Sequence, residues 1–195
     1  LDEAFDGYPH AIHYALKANS SLAIVRLLHG LGSHDDANSL GEVDVAIRCG
    51  FRPDQIVFTG VGKSAAEIDR AVSLGLLAIN VESPDELDRI DQRAVAHGVR
   101  ARVALRVNPD IDAKSHPHIS TGLKSNKFGV PISEAPALFR EMASRRGLVP
   151  VGAHVHIGSQ ITTLDPLKKA AEAVVALAGE LRGEGINLQH LDMGG

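Results

Sequence analysis

Short apolar runs recur along the chain, and most are followed by an amphipathic segment that ends at or near a glycine. The runs are rich in Val, Ile, Leu and Ala with little polar alternation, which is typical of parallel strands covered on both faces. We predict strands at 11–17, 34–37, 55–59, 76–81, 101–107, 148–157 and 188–193. Strands that alternate with helices in this way predict an α/β fold with a parallel sheet.

Serine side chains mark the start of three of the predicted helices. Ser39 and Ser64 are each followed three residues later by a glutamate, which is the pattern of a capping box. Ser83 precedes a proline at the first helical position, and a glutamate follows at the third. We therefore expect each serine to cap the third helical N–H, with the glutamate binding the N–H of the serine in return. Two further helices are predicted at 133–146 and 164–183.

Candidate functional groups stand at the carboxyl ends of several predicted strands, namely Lys17, Asp36, Arg106, His156 and Asp192. A ring of groups from successive strand ends is typical of a (β/α)8 barrel, whose active site occupies the C-terminal face. Such a barrel commonly has about 250 residues. We therefore predict an incomplete TIM barrel with about seven strands present, and we expect the 195 residues to be a fragment that lacks at least the closing strand.

An open nucleotide-binding sheet is the alternative architecture. No glycine-rich dinucleotide fingerprint follows the first strand. Residues 60–64, Gly-Val-Gly-Lys-Ser, resemble the end of a phosphate-binding P-loop, but that motif needs a glycine where Val57 stands. We interpret Ser64 as a helix cap, which leaves the barrel as the preferred fold.

The rhythm of strands and helices is interrupted at 110–130. This insertion has no helical period, and loops of this length inside compact domains are usually functional or disordered. Ile119 and Phe128 favour a functional loop over a disordered one.

Composition excludes several classes of protein. A net charge of -4 and the lack of a basic run interleaved with aromatics argue against binding to nucleic acid or to an anionic membrane. The single Cys49 excludes an internal disulfide framework and suits a reducing compartment, so we expect a cytoplasmic protein. No apolar stretch approaches the roughly 20 residues that span a bilayer.

Two strand ends carry groups that suit chemistry. Alternation puts His154 and His156 on one face of their strand. Zinc is disfavoured because no third ligand has an obvious spacing, and a hydrogen-bonded core histidine is the simpler alternative for each. Ser159, which follows a glycine, and the pair Gly194-Gly195 offer backbone donors and a hydroxyl that could hold a phosphate, although ordinary turns would look the same.

Three motifs together resemble one enzyme family. Residues 14–19 (Tyr-Ala-Leu-Lys-Ala-Asn), 156–160 (His-Ile-Gly-Ser-Gln) and 191–195 (Leu-Asp-Met-Gly-Gly) occur in the order seen in the fold-type III pyridoxal-phosphate decarboxylases. Residues 119–129 most closely resemble the loop of the diaminopimelate decarboxylase group in this family. The resemblance covers essentially the whole chain and implies that residues 1–195 form a partial, alanine racemase-like barrel domain that binds pyridoxal 5'-phosphate.

The resemblance implies that Lys17 forms a Schiff base with the cofactor and that His156 stacks on the cofactor ring. A lysine amine is nucleophilic only when unprotonated, and partial burial beside a cation lowers its pKa toward that state. Arg106 is the candidate cation. These expectations make Lys17 and His156 the catalytic residues.

The same resemblance assigns the remaining cofactor contacts. Ser159, Gly194 and Gly195 resemble the phosphate cradle, while Asp36 and Arg106 correspond to polar groups beside the cofactor. The segment 36–42 departs mildly from the family, which often has two valines before the serine and a glycine after it, but Asp36 stays in place.

The function that the resemblance implies is decarboxylation of meso-diaminopimelate to lysine. It also implies a C-terminal β-domain absent from this chain, and a homodimer that shares its active sites, so we expect residues 1–195 alone to be inactive. Another basic amino-acid decarboxylase of the ornithine or arginine type remains open, and a racemase is disfavoured by the motif at 156–160. A regulator that has lost the cofactor is a further alternative, against which the retention of Lys17, His156 and Ser159 argues.

Overall fold

The computed structural model describes residues 2–111, 128–159 and 161–194. The described strands are β1 (His13–Ala15), β2 (His34–Ala37), β3 (Ile56–Phe58), β4 (Ala78–Val81), β5 (Ala101–Asn108), β6 (Val130–Pro131), β7 (Leu148–His154) and β8 (His190–Asp192). The described α-helices are α1 (Leu22–Gly30), α2 (Leu40–Cys49), α3 (Ala65–Leu74), α4 (Pro84–Ala96), α5 (Ala135–Ser144) and α6 (Leu164–Gly183). The predicted α/β architecture is confirmed.

All strand pairs in the described sheet are parallel, and seven strands follow the order β1-β2-β3-β4-β5-β7-β8, with β6 paired to β5 alone. The sheet is curled, because the Asn80 side chain of β4 lies 3.4 Å from the Asp192 carboxylate of β8. In a flat sheet, the three strand spacings between them would amount to about 14 Å. The incomplete barrel is thus confirmed, with β6 as an additional strand that the sequence did not predict.

Side chains on the two faces of the curled sheet pack differently. The main core lies between the strands and the helices and includes Leu16, Phe58 and Phe139. A small apolar cluster occupies the concave interior face of the barrel and consists of Val57, Ala78, Ala104 and Val151. Because strand side chains alternate, the next interior positions after Val57, Ala78 and Ala104 are Thr59, Asn80 and Arg106. This cluster is therefore the apolar floor beneath a polar layer at the carboxyl ends of the strands.

The serine caps form as predicted, but only one capping box is complete. The Ser39, Ser64 and Ser83 hydroxyls each accept the third helical N–H, and Glu67 binds the N–H of Ser64 at 2.8 Å. In the other two helices the glutamate instead accepts the N–H one residue before the serine, at 2.7 Å and 2.8 Å. Each of those two serines stands only two residues beyond its strand, so the N–H of the intervening residue reaches the carboxylate first.

The first strand is shorter than predicted. Strand β1 ends at Ala15, so Lys17 lies in the turn beyond it, although the Leu16 N–H still donates to the Asp36 carbonyl at 3.1 Å. Most of the predicted insertion, at 112–127, lies outside the described residues. Within the described ranges, no helix combines the length and the apolar character that crossing a bilayer requires.

Candidate active site

The predicted strand-end groups come together at the carboxyl end of the barrel interior. Register pairs Ala15 with Asp36, and His154 with both Arg106 and Asp192, so these strands end at the same level. The charges of Lys17, Arg106 and Asp192 all act on His156, and those of Lys17 and Asp192 act on Asp36. These residues therefore form one electrostatically connected site.

A hydrogen-bonded bridge crosses the interior between the two aspartates. The Thr59 hydroxyl donates to Asp36 Oδ1 at 2.6 Å, and Asn80 Nδ2 donates to Thr59 Oγ1 at 3.0 Å. The same Nδ2 group donates to Asp192 Oδ2 at 3.4 Å. Asp36 on β2 is thereby linked through β3 and β4 to Asp192 on β8.

Asp192 is also bound from its own side of the barrel. Its Oδ1 accepts the Gly194 N–H at 2.9 Å, and its Oδ2 lies 2.8 Å from His154 Nδ1. The histidine contact is close but poorly aligned for a hydrogen bond, and neither ring nitrogen of His154 has a well-formed partner among the described residues. We therefore treat this contact as an electrostatic one. His154 is a buried core histidine beside the site, but the hydrogen bond that the simpler alternative expected is not formed among the described residues.

Arg106 is fixed by a buried ion pair. Its Nη1 donates to both carboxylate oxygens of Glu82, at 2.8 Å and 3.1 Å, and both residues are 8% exposed. The Phe128 ring centroid lies 5.4 Å from the guanidinium carbon. Gly129 has φ +84°, and a Cβ there would lie 2.7 Å from the Arg106 carbonyl oxygen, so only glycine fits. The end of the insertion is thus packed directly onto Arg106.

The environment of Lys17 differs from the prediction. We expected a partly buried amine with Arg106 as the neighbouring cation, but Lys17 is exposed. Arg106 is paired with Glu82. The strand stops two residues before Lys17, and the turn carries its side chain out toward the mouth of the barrel. The expected partial burial of Lys17 is therefore wrong, and its role as the cofactor lysine stays a prediction.

Burial and charge set the protonation of the central groups. Burial, reinforced by the charges of Lys17 and Arg106, lowers the pKa of His156 to about 4, so its imidazole is neutral at pH 7. Burial works against ionisation of Asp192, but the His154 contact and the Gly194 N–H hold the pKa of Asp192 below its usual range. Burial raises the pKa of Asp36, and the hydrogen bond from Thr59 opposes that rise.

The loops after β7 and β8 provide the candidate phosphate cradle. Gly158 has φ +141° and leads to the exposed Ser159. Gly194 has φ +68°, and a Cβ there would lie 2.5 Å from the Val155 carbonyl oxygen, so the two loops approach as closely as backbone allows. The predicted partner Gly195 lies outside the described residues. A cradle without side chains, next to a hydroxyl and a neutral imidazole, fits the phosphate and ring of pyridoxal phosphate.

The lysine of the P-loop-like segment has a structural position. Lys63 is 3% exposed, and its Nζ donates to the Gly60 and Asn80 carbonyls at 2.7 Å each and to Glu86 at 3.2 Å. All three ammonium donors are therefore used inside the protein. Lys63 ties the ends of β3 and β4 to α4, which holds Thr59 and Asn80 in place.

Sequence reasoning missed Thr59, Asn80 and Glu82. A signal was present, because each is a polar residue at or just after the end of an apolar strand. Extending the search for strand-end groups to the third and fourth strands would have found them.

Known proteins share both the sequence and the fold of this chain. The family model for the pyridoxal binding domain of pyridoxal-dependent decarboxylases matches residues 1–195. The diaminopimelate decarboxylase of Helicobacter pylori is 50% identical over 193 residues, which cover 99% of this chain and 48% of that protein. The enzyme of the same name from Pseudomonas aeruginosa is 45% identical over 99% of this chain and 46% of its own length.

Solved structures show the same relationship. Helicobacter pylori diaminopimelate decarboxylase complexed with L-lysine superposes with a TM-score of 0.92 at 47% identity, over 98% of this chain and 48% of that one. The lysine decarboxylase of Selenomonas ruminantium gives 0.80 at 27% identity, over 93% of this chain and 45% of that one. The chain therefore spans about half the length of the relatives that it matches.

Proposed function

Because this chain belongs to the pyridoxal-dependent decarboxylases, as a match to their pyridoxal binding domain, we propose that the whole protein decarboxylates meso-diaminopimelate to lysine. The observation that carries the choice of substrate is the 45–50% identity to diaminopimelate decarboxylases over nearly the whole chain. Identity to the Selenomonas ruminantium lysine decarboxylase is 27%. The L-lysine in the Helicobacter pylori complex is the product that this reaction would give.

Pyridoxal phosphate is the proposed cofactor, and when bound it supplies the electron-accepting ring that takes up the electron pair left by departing carbon dioxide. Lys17 would hold it through its amine, from a position at the mouth of the barrel that the substrate amine can also reach. Ser159 and the loop at Gly194 would hold the phosphate, with Gly195 as the adjoining residue. The Gly194 N–H is bound to Asp192, so the contribution of Gly194 is its lack of a side chain.

The charged residues would set the orientation and the proton balance of the site. A neutral His156 can pack flat against an aromatic ring without adding a second cation beside Lys17. Arg106 is held in one position by Glu82, and its charge acts on His156. Asp36 supplies a carboxylate near Lys17 that can take up or release a proton. Together these residues hold the reacting carbon in a fixed plane and exclude water from it.

We further propose that the whole protein is cytoplasmic and forms a homodimer with shared active sites, and that a β-rich domain follows the barrel domain. The single, buried Cys49 is compatible with a reducing compartment. The relatives are about twice as long as this chain, which leaves room for a second domain. Sedimentation of the whole protein measures the oligomeric state directly.

The test is carbon dioxide release by the whole protein with added pyridoxal phosphate. We expect turnover with meso-diaminopimelate at about 1 per second or faster, within the usual range for enzymes. Ornithine, arginine and lysine should react with at least about a hundredfold lower kcat/KM, a difference near 2.7 kcal/mol. A preference for ornithine or arginine would establish the alternative decarboxylase, and failure to bind the cofactor would favour a regulator.

The assignment of Lys17 needs its own control. Borohydride reduction of the yellow holoenzyme should fix the cofactor on the peptide that contains Lys17. Lys17→Ala should lose the visible absorbance band and measurable turnover. Lys169→Ala removes an exposed lysine on α6 and should keep both. A label on Lys63 would contradict both the assignment and the buried position of that lysine.

A further inference from the structure

We propose that Thr59 and Asn80 are positioning residues that fix the Asp36 carboxylate beside Lys17 and couple it to Asp192 across the barrel interior. This inference rests on the proposed function for the role of Lys17, but the bridge itself is a property of the fold. Neither residue belongs to the loops or strand ends that hold the cofactor in the proposal above.

The direction of the hydrogen bonds is fixed by chemistry. Asn80 has two side-chain N–H donors, which are directed to Thr59 Oγ1 at 3.0 Å and Asp192 Oδ2 at 3.4 Å. The reverse amide orientation would place an amide oxygen against a carboxylate oxygen, two acceptors with no proton between them. Because Thr59 Oγ1 accepts from Asn80, its single proton is available for Asp36, at 2.6 Å. Both carboxylates therefore act as acceptors, and Asn80 is the donor at the centre.

The side chains of the bridge are buried, and burying polar groups costs desolvation free energy that their hydrogen bonds must offset. Asn80 is 0% exposed and Thr59 is 6% exposed, and the Asn80 Oδ1 atom has no hydrogen-bond partner among the described residues. Two positions earlier on the same face, β3 and β4 carry Val57 and Ala78. Apolar side chains thus fit these strands, and the polar pair begins where the two aspartates come within reach.

Lys63 makes the bridge rigid. Its ammonium binds the carbonyls of Gly60, next to Thr59, and of Asn80 itself, at 2.7 Å each. The backbones that carry the bridging side chains are therefore held from outside the barrel. A rigid donor loses little order when it binds a carboxylate, which is how a positioning residue acts on a neighbouring group.

Asp36 is faced by groups from four elements. Lys17 lies on the turn after β1, Thr59 directly after β3, His154 on β7 and Asp192 on β8. Burial and the charge of Asp192 favour the protonated carboxyl, whereas Thr59, His154 and Lys17 favour the carboxylate. Thr59 is the neighbour that donates a hydrogen bond. Without its hydroxyl, Asp36 should hold its proton to higher pH, and Lys17 would lose a counter-charge over that range.

Thr59→Val tests the bridge, because valine keeps the size and branching of threonine and removes the hydroxyl. In the holoenzyme, the acid limb of kcat/KM against pH should move up by about one pH unit, equivalent to a tenfold change in proton affinity. The pH midpoint of the absorbance band of the cofactor on Lys17 should move down instead, because a protonated Asp36 no longer stabilises a positive charge at Lys17. Thr59→Ser keeps the hydroxyl and should restore both midpoints.

A second readout needs neither cofactor nor substrate. In urea unfolding of the apoprotein, the loss of stability of Thr59→Val relative to the parent should grow as the pH rises from 5 to 8, because only the ionised Asp36 loses a charge-assisted hydrogen bond. Thr59→Ser should run parallel to the parent. Failure of the proposed function would remove the turnover readout and leave this one intact.

A Thr59→Val enzyme that is less stable by the same amount at every pH, with unmoved midpoints, would make Thr59 a packing residue and overturn the proposal. If Thr59→Val does not fold, Asn80→Ala removes the central donor. It should shift each midpoint in the same direction as Thr59→Val but by less, because Thr59 then keeps its hydrogen bond to Asp36 and loses only the one that it accepts from Asn80. Unmoved midpoints in Asn80→Ala would overturn the proposal equally.

Discussion

The carboxyl ends of β4 and β5 and the helix face of β2 both bury charged side chains, but the two regions treat them differently. At the first, Lys63 pairs with Glu86 and Arg106 with Glu82. At the second, Asp35 is 0% exposed, and neither of its carboxylate oxygens has a hydrogen-bond partner among the described residues. Burial, with the charges of Asp36 and Glu42, raises the pKa of Asp35 to about 8.

The contrast is sharpest between Asp35 and its neighbour Asp36. Alternation sends the two side chains to opposite faces of one strand, so one meets a donor from Thr59 and the other meets the packed helix layer. A buried charge is stabilised only where other elements supply partners. The carboxyl ends of the strands provide them, from the barrel interior for Asp36 and from α4 for Lys63, whereas the packed layer around Asp35 does not.

Asp35→Asn should have the largest effect on stability, because it removes an ionisable group without a partner. The folded pKa of about 8 lies above the unfolded value of about 4, so folding favours the protonated form. The contribution of Asp35 to the free energy of unfolding is fully present below about pH 4, and it is lost as the pH rises through the folded pKa of about 8. Over about four pH units at about 1.4 kcal/mol each, Asp35→Asn should be more stable than the parent by roughly 5–6 kcal/mol at pH 9 and similar to it at pH 4.

Urea unfolding across this pH range measures the difference. If the free energies of unfolding of the parent and of Asp35→Asn ran parallel across this pH range, Asp35 would have a stabilising partner, and the contrast between the two faces would not hold.

Lys63→Met should have the next largest effect, because it leaves the buried carboxylate of Glu86 without its ion-pair partner. Glu86 would keep the Glu82 N–H and lose its ammonium partner. Breaking a buried pair from one side costs about 3–5 kcal/mol, and the free energy of unfolding should fall by that amount. The double variant Lys63→Met with Glu86→Gln removes both charges and should recover most of the loss. Equal losses in the single and double variants would assign the effect to the carbonyls of Gly60 and Asn80.

Arg140→Gln should have the smallest effect and shows what a charge pair contributes without burial. Arg140 binds Glu184 through two hydrogen bonds, at 2.7 Å and 3.0 Å, on the protein surface. Water and salt compete with such a pair, so the urea midpoint should stay within error of the parent. A loss comparable to that of Lys63→Met would remove burial as the explanation of the contrast.

Much of the fold was predictable from local signals. Strand β3 reads as an unbroken apolar run, and Ser64 with Glu67 marks the helix that follows. The meeting of Lys17, Asp36 and His156 was predictable as well, because parallel strands in one barrel end at the same level. These inferences depend on order and spacing along the chain, which the sequence contains directly.

The partners of the polar groups were not predictable in the same way. Asn80 and Asp192 are 112 residues apart in the chain and meet only because the sheet curls. Lys63 looks like a phosphate-binding lysine until the carbonyl of Asn80 and the carboxylate of Glu86 are placed beside it. In two of the expected capping boxes, Glu42 and Glu86 accept the N–H one residue before the serine and not the N–H of the serine itself. Such choices depend on distances of a few ångströms between separate elements, which periodicity does not determine.

The order of strands in the sheet also bears on how the protein is made. Apart from the side branch at β6, each strand pairs with the strand that precedes it in the chain, so β1 to β8 can add one after another as the ribosome releases them. When sequential strands pair, only short stretches of chain separate the partners, and short sequence separations favour rapid folding. The Asn80–Asp192 bond is the exception, because it needs β4 and β8 together. The site would therefore be completed last, after most of the domain that supports it has folded.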